Sequence, residues 1–123
     1  MLIAEGEESL LEKNLIEIIK RFKSDHILYP RQEVVDAAYL VDVYQKKRGK
    51  FIYLCAKYRC PMDDCHEEYY EIKFARIKLY NDGTFNLAHV PYMAKKGRWC
   101  DLYERVGLNE CINIINNDEL FHP

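Results

Sequence analysis

The chain has 123 residues, 49% apolar and 31% charged, the size and make-up of one globular domain, which excludes a disordered or fibrous protein. Its 18 Lys and Arg nearly balance 20 Asp and Glu for a net charge of −2, so contact with nucleic acid would need a local basic face rather than a whole-molecule field. The unusual count is 10 Tyr.

No segment approaches the ~18–20 apolar residues of a membrane span. Met1–Ser9 has neither the basic start nor the apolar run of a secretory leader. Cys55, Cys60, Cys65, Cys100 and Cys111 are an odd set, and the expectation is reduced thiols in a cytoplasmic chain without membrane contact.

The first element is a helix. Ser9 and Glu12 have the spacing of a capping box, and Leu11, Leu15, Ile18, Ile19 and Phe22 recur at helical spacing as one apolar stripe. The helix should stop near Ser24–His26, ahead of Pro30.

Between Gln32 and Tyr44 two readings compete. Val34, Val35, Val41, Val43 and Tyr44 favour a strand, which is preferred, while Val34, Ala37, Ala38 and Val41 also fit a helix. Gln45–Lys50 reads as a basic turn containing Gly49. Phe51–Cys60 reads as the return strand, with Ile52, Leu54, Ala56 and Tyr58 on one face and Phe51, Tyr53, Cys55, Lys57 and Arg59 on the other.

Pro61–Glu68 is an acidic loop, and a strand follows from Tyr69 or Tyr70. Ile72 and Phe74 share one parity and Ile77 and Leu79 the other; one extra residue at Ala75–Arg76, a β-bulge, would unite them. Asn81-Asp82-Gly83 is the clearest hairpin turn. Thr84–Tyr92 returns, Lys95-Lys96-Gly97 turns again, and Arg98–Glu104 forms a short last strand around Trp99 and Tyr103. Leu108, Cys111, Ile112 and Ile115 outline a second helix, after which Leu120 and Phe121 fold back. The expected fold is α+β over one domain, residues 1–123: an N-terminal helix, an antiparallel meander of about five strands and a C-terminal helix, in two layers. Leu15, Ile18, Phe74, Ile77, Trp99 and Ile115 are the expected core.

Tyr29-Pro30-Arg31, Ala75-Arg76 leading to Tyr80, Gly97-Arg98-Trp99 leading to Tyr103, and the tail of Leu108 to Ile115 with Asp118 and Phe121 resemble a small bacterial family, domain of unknown function 3024. Phe85 or Leu87 stands where that family carries a Trp. The resemblance covers roughly residues 22–121 and implies a similar fold and no assigned activity.

The most metal-like segment holds Cys60, Cys65 and His66, with His89 or Cys55 needed to complete a zinc set. The spacing is not that of a zinc knuckle, and no second pair matches it, so no metal or other cofactor is expected. The acids Asp63, Asp64, Glu67, Glu68 and Glu71 lack the spacing of a calcium loop. Nothing forms a nucleophile elbow or a phosphate-binding glycine loop, and no residue is assigned a catalytic role. Tyr53, Lys57, Arg59, Lys73, Arg76, Lys78 and Tyr80 interleave rings and cations on one face of the sheet. That pattern stacks single-stranded bases and holds phosphates, and it is also an ordinary way to finish an exposed sheet. The leading expectation is a non-catalytic module that binds a protein partner or its own copy, because Tyr and Trp anchor interfaces. The alternatives are single-stranded nucleic-acid binding through the Lys/Arg/Tyr face, and a small enzyme with no recognisable motif.

Overall fold

The apolar stripe from Leu11 to Phe22 is buried, each of its five residues at 7% exposure or less. It lies on helix α1, Leu2–His26. The structure is a computed structural model that describes residues 2–26, 39–60, 67–90 and 98–123. α1 ends where expected and starts earlier, so Ser9 and Glu12 sit inside the helix instead of capping it. The reason is local: Leu2, Ala4 and three Glu favour helix, and acids suit its positive end.

Five strands follow in the order β1-β2-β3-β4-β5, each antiparallel to the next. They are β1 (Tyr39–Arg48), β2 (Phe51–Arg59), β3 (Tyr69–Leu79), β4 (Phe85–His89) and β5 (Cys100–Val106). Tyr39–Tyr44 is therefore strand; Val34, Val35, Ala37 and Ala38 lie outside the described residues, as do Tyr29-Pro30-Arg31, Cys65, His66 and Lys95-Lys96-Gly97. The expected basic turn shrinks to two residues. β1 continues through Arg48, which pairs with Phe51, and Gly49 takes the left-handed conformation (φ 61°) that a turn this tight requires.

The bulge in β3 falls one residue before the expected place. Leu54 pairs with Ala75 and Cys55 with Lys73, which leaves Phe74 as the extra residue. Ile72 and Ile77 then face the same side, and Phe74 meets Phe22 edge-on at 6.1 Å. Asn81-Asp82-Gly83 makes the β3–β4 turn. Gly83 is left-handed (φ 82°), and the Asp82 carboxylate accepts from the Thr84 N–H (3.1 Å) and hydroxyl (2.6 Å).

Helix α2 (Leu108–Asn117) buries Cys111 and Ile115, and a 3₁₀ turn (Glu119–Phe121) follows it. Both helices cover one face of the sheet. Between them and the sheet lie Ile52, Leu54, Ala56, Ile77, Leu87 and Phe121, an α+β fold in two layers. Phe121 folds back into this core while Leu120 stays exposed. Trp99, expected in the core, is half-buried and sits just before β5 on the opposite face. Among the described residues no helix is long and apolar enough to cross a membrane.

Candidate functional site

Alternation along β2 sends Ile52, Leu54, Ala56 and Tyr58 toward the helices and Phe51, Tyr53, Cys55, Lys57 and Arg59 to the open face. Register extends that face across the sheet. Lys46 and Arg76 flank Tyr53, Tyr44 and Lys73 flank Cys55, and Arg48 and Lys78 flank Phe51. Tyr53, Lys57, Arg59, Lys73, Arg76 and Lys78 therefore share one surface, and Tyr80 continues it just beyond β3.

Two small residues on this face let long side chains cross the strand between their own. Cys55 is fully buried although it points away from the helices. Above it, Tyr44 and Lys46 on β1 reach Glu71 on β3: the Tyr44 hydroxyl and the Lys46 ammonium (2.7 Å) both donate to Glu71 Oε1. Lys73 reaches the other oxygen at 3.4 Å. These donors, Lys46 foremost, hold the Glu71 carboxyl at about 2, well below the ordinary value. Burial first, then the nearby Glu71 charge, pushes the Cys55 thiol up to about 11.

The second small residue is Ala88 on β4, which lies between Arg76 and Asp101 in register and is also fully buried. Over it, Arg76 pairs with Asp101 at 3.6 Å. Trp99, two residues before Asp101 on the same side, reaches back until its ring is 5.8 Å from that of Tyr53. The Arg76 guanidinium is held between Phe51 (4.8 Å) and Trp99 (5.3 Å). Each such contact contributes about 0.5–1 kcal/mol on an exposed surface and more when desolvated.

The same pairing of cation and ring repeats across the face. Lys57 lies over Tyr69 (4.8 Å), Lys73 over Tyr53 (5.8 Å) and Lys78 over Tyr80 (5.1 Å). Arg105 stacks on the other side of the β3–β4 turn, 3.6 Å from the Tyr80 ring centre. Arg59 stands at the margin, ion-paired with Glu68 (3.1 Å) and donating to the Tyr39 hydroxyl (3.3 Å). Two shallow cavities open here. One, of about 480 Å³, is lined by Lys46, Lys47, Arg48, Tyr53, Lys73 and Trp99. The other, of about 330 Å³, is lined by Lys46, Lys57, Glu67, Tyr69, Tyr70 and Glu71.

A family model for a domain of unknown function, DUF3024, matches residues 8–123. The chain belongs to the DUF3024 family. No curated protein and no solved structure matches it. In this DUF3024 chain Cys65 and His66 of the zinc reading lie outside the described residues. Cys60 is disulfide-bonded, where a reduced thiol was expected. Cys55 lies on the open face, while His89 packs against Phe121 on the helix side (6.4 Å). Among the described residues no three His, Cys, Asp or Glu side chains gather as a metal site.

Lys46, Arg48 and Trp99 were not expected as parts of the face of this DUF3024 chain. The two basic residues were hidden by the reading of Gln45–Lys50 as a turn. Continuing the alternation of β1 backward from Phe51 through a two-residue Gly49 turn would have placed Lys46 and Arg48 beside Tyr53 and Phe51.

Proposed function

We propose that the open face of the sheet binds single-stranded nucleic acid. The observation that carries this reading is the surface shared by Tyr53, Trp99 and Phe51 with Lys46, Lys73, Arg76 and Lys78. Rings on a sheet stack unpaired bases whatever their sequence, and cations beside them neutralise the phosphates between. The cations on these strands outnumber Asp42, Glu71 and Asp101, so the face is positive although the chain as a whole is not. A protein interface is the weaker reading for this surface, because interface cores are depleted in Lys.

The test is fluorescence anisotropy with a labelled single-stranded oligonucleotide over a range of salt. Binding through about four phosphates gives a log–log salt slope near −3. Lys73→Glu with Lys78→Glu should weaken binding by at least about tenfold at low salt. Unchanged affinity in that double variant, or binding indifferent to salt, overturns the reading.

A second reading, self-association, is favoured by Tyr70, Ile72 and Leu102, large apolar side chains that are 38–46% exposed. Light scattering at low and high salt tests it. A dimer that Ile72→Asp dissociates supports it, and a monomer at every concentration ends it.

A further inference from the structure

Resting on the single-strand reading above, the larger cavity narrows that reading to one part of a strand. Lys46 and Arg48, near the end of β1, and Lys73 bring three open-face cations to one cavity walled by Tyr53 and Trp99. None of these lining residues is acidic. Glu71, the nearby carboxylate, belongs to the neighbouring cavity and is bonded to Lys46 and Lys73 from that side.

The rest of the face is built differently. There the cations stand singly, Lys57 over Tyr69 and Lys78 over Tyr80, and Arg76 is offset by Asp101; Lys46 and Lys73 also lie over rings, those of Tyr44 and Tyr53, but open together onto one cavity. One cation at a time suits the internal diester phosphates of a strand, which carry a single charge each. A phosphate monoester carries about −1.5 to −2 at pH 7 and offers three strong acceptor oxygens, so it suits several donors in one place. A terminal base also has a ring face with no neighbour, which the Tyr53 and Trp99 rings can cover. A volume of about 480 Å³ is within the usual range for a small-ligand pocket.

We infer that this cavity seats the terminal phosphate of a single strand, so that the protein binds a phosphorylated end in preference to an internal stretch. Glu71 is then a resident counter-ion that keeps Lys46 and Lys73 in place until phosphate oxygens engage them.

The experiment compares three oligonucleotides of one sequence with an internal label: 5′-phosphorylated, 3′-phosphorylated, and hydroxyl at both ends. One phosphorylated form should bind about tenfold tighter than the hydroxyl form, and which one it is assigns the end. Arg48→Ala, at an exposed position, should reduce that advantage while retaining binding of the hydroxyl form. If all three oligonucleotides bind alike, the end preference is wrong and the single-strand reading stands. If none binds, both fall.

Discussion

Lys46 on β1 and Glu71 on β3 meet at 2.7 Å by passing over β2, and they can do so because Cys55 is the small residue between them. The contact has a pH signature. An ordinary Glu titrates near 4.5, whereas Glu71 is held at about 2 by bonds from Lys46 and Tyr44. A carboxyl whose value is lower folded than unfolded stabilises the fold above its unfolded value and loses that contribution as pH falls. Between pH 4.5 and 2 the wild type should therefore lose more stability than Glu71→Gln, which has no such proton to take up. Urea midpoints measured across that window check this, and parallel curves for the two proteins would show that Glu71 contributes nothing.

A second relationship locks β4 to β5. Phe85 pairs with Val106 and Leu87 with Tyr103, so Glu104 and Arg105 together oppose Asn86. Arg105 takes a left-handed conformation (φ 55°), unfavourable for a residue with a Cβ. Its N–H donates to the Asn86 side-chain oxygen at 2.9 Å, and Asn86 is only 3% exposed. Asn86→Ala should cost about 0.5–1.5 kcal/mol, the net contribution of the lost hydrogen bond. Asn86→Ser keeps an uncharged acceptor and should cost less. Equal losses in chemical denaturation would mean that the bond is not what holds the bulge.

How legible these features were in the sequence depended on whether their causes are local. The α1 stripe, the Asp82-Gly83 turn and the alternation of β2 depend on a few neighbouring residues, and they stand where the pattern put them. The end of β1 was obscured because Gln45 and Lys47, polar as they are, occupy its helix-facing positions, so the apolar alternation stops at Val43. Trp99 was misplaced for a different reason. A large aromatic favours burial wherever it finds it, and here it finds it on the open face, where small Ala88 on the neighbouring strand leaves room to reach Arg76 and Tyr53. That room depends on strand register, which no short window of sequence contains. The cation-bearing residues of β2 and β3 were legible by parity alone; the cavity beside them was not, since it needs β1, β2, β3 and Trp99 together.

The two sides of α1 should respond very differently to the same change. Ile18 lies in the core at 5% exposure, and Ile16, two residues away, is 47% exposed. Ile18→Ala should cost about 2–5 kcal/mol through lost burial and the cavity left behind, while Ile16→Ala should stay within about 0.5 kcal/mol. Thermal melts of the two variants suffice. A large loss at Ile16 would mean that this side of the helix is covered in solution, as self-association would require.

Cysteine chemistry separates the open face from the core in one experiment. Cys55, Cys100 and Cys111 are free thiols, of which Cys100 alone is exposed. Burial pushes Cys111 up to about 12, and burial with the Glu71 charge pushes Cys55 up to about 11. Thiolate, not thiol, attacks an alkylating reagent, so at pH 8 both inner cysteines are protonated as well as shielded. Brief iodoacetamide treatment of native protein, mapped by mass spectrometry, should modify Cys100 and spare the other two. Cys55 is the informative site, since its shield is the Tyr44–Glu71–Lys46 bridge rather than the helices. In Glu71→Ala that cover opens and the carboxylate charge is gone, so Cys55 should become reactive while Cys111 stays protected. If Cys55 is still spared in that variant, the bridge is not its cover, and the reach of Lys46 over β2 is less important to the face than its geometry suggests.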